Sequence, residues 1–123
     1  YEYSEIIDKK GLVIMDTPGN DPSSVAAMVA GGAQVVLFST GRGTPTGNPV
    51  APIIKLTANP QTYAGMSDNI DVDASMLLTE PERMSELADT LVAEVAATAS
   101  GKLTKSEALG YTEMAIARVC NYV

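Results

Sequence analysis

QVVLFSTGRGTPTGN, residues Gln34–Asn48, carries an uninterrupted apolar run straight into a loop of glycine and threonine. The run Val35–Phe38 shows no polar alternation, which suits a strand covered on both faces, as in a parallel sheet flanked by helices. The loop interleaves Gly41, Gly43 and Gly47 with Thr40, Arg42, Thr44, Thr46 and Asn48. Glycines let backbone N–H groups converge on an anion, and a guanidinium can grip a carboxylate through two hydrogen bonds. An anion cradle is therefore expected here, with a plain surface turn as its alternative. The nucleotide readings fail. No Lys follows these glycines in P-loop spacing, and the dinucleotide fingerprint does not fit G-x-G-x-x-x-G. Pro49 and Pro52 then forbid a helix N-terminus that could hold a pyrophosphate.

Working outward, Leu12–Met15 (LVIM) reads as a short buried strand, closed by Asp16-Thr17-Pro18-Gly19. Asp21 is the expected N-cap of a small-residue helix over Pro22–Ala30, stopped by Gly31-Gly32. Strand, helix and strand would make one βαβ unit. Its two loops, Asp16–Asn20 and Thr40–Asn48, would then lie side by side beyond the carboxyl ends of the strands, where open α/β sheets bind ligands. Ile53–Thr57 is a third strand with Lys55 at its centre, and Asn59-Pro60 opens a short helix to about Met66. A further short strand is expected within Ile70–Leu78. Thr79–Glu82 reads as a capping box opening the clearest helix, whose Met84, Leu87, Ala88, Leu91, Val92 and Val95 form an apolar stripe. Thr104–Glu107 repeats the capping box, and Ala115–Val123 stays open between tail and helix. The expected fold class is α/β: a Rossmann-like three-layer domain with a small, mostly parallel sheet flanked by helices, occupying residues 1–123 as a single domain.

Composition narrows the function. The chain has 123 residues, 46% hydrophobic and 19% charged, with a net charge of −7. That charge disfavours nucleic acid and anionic membrane as partners while leaving room for a locally cationic site. No apolar run reaches the roughly 18 residues of a membrane span. Cys120 is a lone cysteine, compatible with a reducing cytoplasm, and histidine is absent. His-based triads and the 2-His-1-carboxylate iron site are thereby excluded from this chain. A start at Tyr1 rather than Met is expected to mark a piece of something longer.

The stretch MDTPGNDPSSVAAMVAGGAQVVLFSTGRGTPTGNPVAPIIKLTAN, Met15–Asn59, closely resembles the altronate/galactarate dehydratase family, which also includes the large subunit of sulfolactate sulfo-lyase. MSDNIDVDA at Met66–Ala74, ASGKLTKSEALGY at Ala99–Tyr111 and the ending EMAIARV agree more loosely. Together they cover nearly the whole chain and correspond to the C-terminal end of family members. One departure stands out: Asp73 and Ser75 occupy positions where the family usually has Asn or Cys and then Gly. A ligand role of that turn is not carried over.

The resemblance implies a hydro-lyase acting on a sugar acid or small hydroxy acid, or a sulfo-lyase acting on sulfolactate. The implied chemistry is abstraction of a proton α to a carboxylate, followed by loss of the β substituent. It also implies a divalent metal, iron first, with ligands outside this chain, and an upstream domain or subunit as partner. A homo-oligomer is a further expectation, and the fragment alone is expected to be inactive. Arg42 is expected to clamp a carboxylate, and Thr40, Thr44, Thr46 and Asn48 to bond substrate hydroxyls or to stabilise the turn. Gly41, Gly43 and Gly47 would supply backbone contacts, and Asp16 and Thr17 would bind substrate or metal, or else cap the loop and helix that follow. Lys55 is the candidate catalytic group, as enolate stabiliser or base, unless it snorkels to water. Asp68, Asp71 and Asp73 read more readily as a solvated surface than as a cation site. Two rival readings remain: a non-catalytic docking domain of the same enzyme, and a free-standing Rossmann-like anion-binding module.

Overall fold

The structure, a computed structural model, describes residues 1–117. Its centre is a three-stranded sheet of β1 (Val36–Ser39), β2 (Ile53–Thr57) and β3 (Val72–Asp73), in that order and parallel throughout. Val36 aligns with Ile53, and Leu56 with Val72, so the strands are only slightly staggered. Four α-helices accompany it among the described residues: α1 (Asp21–Ala30), α2 (Pro60–Gly65), α3 (Met84–Ala99) and α4 (Lys105–Ala108). A parallel α/β arrangement is thus observed.

Alternation along β2 divides the core. Ile53 joins Val36 of β1 and Val25 of α1, with Met28, Val29 and Phe38 around them. Ile54 instead joins Val72, Ala74 and Leu87 of α3, with Leu56, Leu91 and Val95 packed against them. Side chains of neighbouring strand residues point to opposite faces, so α1 and α3 bury different sides of the same strand.

Four expectations are corrected. Leu12–Met15 forms no strand of the sheet, and Leu12 and Ile14 are 100% and 81% exposed. The apolar run suited a covered strand, but among the described residues nothing covers its even positions. The βαβ unit with this run as its first strand therefore does not form. α1 begins one residue earlier than read, because the cap is Asn20, whose side chain accepts from the Ser23 N–H. Thr79–Glu82 does not form a capping box. The Thr79 hydroxyl instead donates back to the Met76 carbonyl, and a 3₁₀ turn at Pro81–Arg83 precedes α3. The Arg83 guanidinium there bridges Glu80 and Glu86, which raises its own pKa and lowers that of Glu86. On α3, Leu87, Leu91 and Val95 face the core, whereas Met84, Ala88 and Val92 are exposed. The second capping box is present, with Thr104 and Glu107 satisfying each other's backbone N–H groups. Cys120 and the end of the C-terminal stretch lie outside the described residues.

Candidate functional site

Parallel neighbours need a connection that returns the chain from the carboxyl end of one strand to the amino end of the next. Between β1 and β2 that connection is residues 40–52, and it contains no helix. Without a helix, its carbonyls lack the internal partners that a helical crossover would give them. Lys55 supplies them. It is fully buried at the centre of β2, and its ammonium donates to the carbonyls of Pro45 at 3.0 Å and Thr46 at 3.1 Å. The snorkelling alternative for Lys55 is therefore not what the structure shows. Burial pushes its pKa below the ordinary lysine value, against the opposing pull of the Asp71 and Glu113 carboxylates.

Asp71 ties this layer together. One carboxylate oxygen accepts from the Lys55 N–H at 2.8 Å, the other from the Lys105 N–H at 2.8 Å. Lys105 repeats the role of Lys55, its ammonium reaching the carbonyls of Ser67 and Ile70. Asp71 is a residue whose part sequence reasoning missed; its signal was its place directly ahead of a short strand, two residues from Asp73. Asp73 accepts from the Ser75 N–H ahead of the 3₁₀ turn that follows.

The loop's own residues fall into two groups. Thr44, Thr46, Gly47 and Asn48 are buried. The Thr44 and Thr46 hydroxyls pair at 2.8 Å, and the Asn48 side chain accepts from the Val50 and Ala51 N–H groups. A Cβ at Gly47 would fall on the Tyr111 carbonyl oxygen, so only glycine lets that segment close over the crossover. Thr40 and Gly41 instead line a cleft of about 380 Å³ at the carboxyl ends of β1 and β2. Thr57 and Asn59 complete its polar side, and Leu56, Ala74, Leu77 and Leu87 its apolar side. Gly43 sits beside them, donating its N–H to the Thr40 hydroxyl with a left-handed φ of 84°.

Arg42 stands exposed between Gly41 and Gly43, and the ion pairs among the described residues join other partners. α2 braces this rim: the Asn59 amide and the Thr62 hydroxyl both donate to the Gly41 carbonyl, at 3.2 and 2.7 Å. Neither was singled out from the sequence, although the Asn59-Pro60 helix start was the clue. Asp16 and Thr17 are elsewhere in the chain's bonding. The Asp16 N–H donates to the Tyr1 carbonyl and the Thr17 hydroxyl pairs with Ser24; no hydrogen bond among the described residues links either to the loop.

A divalent metal does not fit what is here. Asp71 and Asp73 already accept backbone N–H groups, and no group of three His, Cys, Asp or Glu among the described residues is arranged to hold an ion. No helix among them is long and apolar enough to cross a membrane.

Comparison with known proteins agrees with the resemblance read from the sequence. The family described as D-galactarate/Altronate dehydratase, C-terminal matches residues 1–121. The chain is 39% identical over 109 residues to a (2R)-sulfolactate sulfo-lyase subunit beta of Chromohalobacter salexigens, covering 89% of this chain and 28% of that protein. It is 35% identical over 115 residues to an altronate dehydratase of Bacillus subtilis, covering 94% of this chain and 23% of that protein. An Escherichia coli altronate dehydratase is 38% identical over 117 residues, with 93% and 23% covered. The chain thus spans about a quarter of the length of the curated relatives it matches. By a match that runs over nearly all its residues, the chain belongs to the D-galactarate/altronate dehydratase C-terminal family.

Proposed function

We propose that this chain supplies one wall of the substrate site of a lyase that eliminates a β substituent from a hydroxy acid, as dehydratase or sulfo-lyase. The observation that carries the reading is the cleft at the carboxyl ends of β1 and β2, with Thr40 and Gly41 in its lining and exposed Arg42 next in sequence. Family membership supplies the reaction class. The fold is taken as Rossmann-like and three-layered, which the packing of α1 and α3 on separate core clusters supports.

In this reading Arg42 grips the substrate carboxylate, and Thr40 with the Gly43 N–H shapes the rim that receives it. A cation on that carboxylate favours the enolate-like charge that develops as the α proton leaves. Thr44, Thr46 and Asn48 hold the crossover in shape. Lys55 acts through the same crossover, fixing the Pro45 and Thr46 carbonyls. A base role for it requires the ammonium to leave both. The upstream part of a longer, cytoplasmic enzyme would hold the metal and the remaining acid and base groups.

The test is Arg42→Ala in the full-length enzyme. Losing a charge-assisted bidentate contact worth about 1.5–3 kcal/mol lowers kcat/KM by about 10- to 100-fold. Assembly, followed by size-exclusion chromatography, stays intact. Unchanged turnover, or dissociation in place of lost turnover, would favour a docking role for the loop.

A further inference from the structure

Leu12–Met15 runs outside the helices and belongs to no strand of the sheet. Along it exposure alternates: Val13 and Met15 are partly covered, while Leu12 and Ile14 point outward almost wholly exposed. Met15 packs against Gly31 at the end of α1, which fixes the inward face of the segment. Its backbone is already paired at one point. The Tyr1 terminal ammonium donates to the Ile14 carbonyl at 2.7 Å, in the place an amide N–H would take in a longer chain, and the Asp16 N–H donates to the Tyr1 carbonyl at 2.8 Å. A residue that donates to position j−1 and accepts from position j+1 makes a parallel bridge to j, so Tyr1 bridges Met15 in parallel register.

That bridge fixes where a preceding chain would run. In the same register, the Ile14 N–H would donate to the carbonyl of the second residue before Tyr1, and that residue would lie opposite Val13. Ten residues, 2–11, then separate the two paired segments, close to the minimum for joining parallel neighbours. Relatives are about four times as long as the region they share with this chain, and the matching family is described as C-terminal. In a protein of that length, the residues ahead of the position of Tyr1 would reach this edge.

We propose that Leu12–Met15 is a docking strand, paired in parallel with the polypeptide that precedes Tyr1, and that Leu12 and Ile14 bury themselves against the upstream part of the enzyme. A parallel ladder covered by apolar packing is also the setting in which an apolar run without alternation is expected. The proposal rests on family membership and not on the substrate role of the Arg42 loop.

Hydrogen exchange on the full-length enzyme tests it without reference to activity. The Ile14 amide is expected to exchange at least about 100-fold more slowly than the exposed amides of Lys10 and Gly11, after correction for intrinsic rates. Exchange within about tenfold of those amides overturns the proposal. Two further outcomes also overturn it. Protection that disappears when the enzyme is diluted to monomer would assign the strand's partner to a second copy. Protection lost on removing residues 118–123 would assign it to the C-terminal end of this chain.

Discussion

Lys55 shows most clearly what a single residue does in this fold. A lysine amid Ile53, Ile54, Leu56 and Thr57 is anomalous by composition alone, and desolvating an ammonium is costly unless donors are well used. Here two carbonyls of a crossover without a helix use them. Lys55→Met should leave both acceptors unpaired and destabilise the protein by about 2 kcal/mol or more, read from urea unfolding at unchanged m-value. The lowered pKa gives a second reading with a definite sign. Between that lowered value and the ordinary 10.5, the unfolded chain holds more protons than the folded one, so stability rises with pH in that window. Below it both states are protonated and the penalty is constant. The stability difference between wild type and Lys55→Met should therefore move toward the wild type as pH climbs through the alkaline window. A flat difference would contradict the assignment. The sequence made Lys55 conspicuous, but its partners lie nine and ten residues away and became visible only once the path of the crossover was known.

Among the elements, α2 ties the rim to the sheet. Asn59 has two jobs: its carbonyl oxygen caps α2 through the Gln61 and Thr62 N–H groups, and its amide nitrogen reaches the Gly41 carbonyl. Asn59→Ala should cost about 1 kcal/mol, the usual loss for an N-cap. Asn59→Ser keeps a cap acceptor and loses the bond to Gly41, so chemical denaturation should show a smaller loss. Equal losses would mean that the brace to the loop carries the energy. Helices were readable where local chemistry decides them: Asn59-Pro60, the Thr104–Glu107 box and the Gly31-Gly32 stop are all signals within one turn. The Thr79–Glu82 box misled because Pro81 and the Arg83 pairs favour a 3₁₀ turn there. Leu12–Met15 misled differently. Its apolar pattern asks for cover, and cover is a property of what lies across from a strand.

For the whole molecule, the parallel sheet and the placing of its loop at the carboxyl edge were legible from Val35–Phe38, Ile53–Thr57 and the glycines between them. Still hidden was the division of that loop into a buried half resting on Lys55 and an open half carrying Thr40–Gly43, because Gly and Thr occur in both. The open half contributes Thr40 and Gly41 to the cleft at the carboxyl ends of β1 and β2, and in the proposed reading the upstream part of the enzyme supplies the rest of the substrate site. The most direct measurement is a crystal structure of the full-length enzyme with a bound hydroxy-acid substrate or unreactive analogue. A substrate carboxylate about 2.7–2.9 Å from the Arg42 guanidinium, at the rim formed by Thr40 and Gly41, is the result this account predicts. A substrate bound away from that rim, with Arg42 instead paired to a carboxylate of another domain, would contradict it.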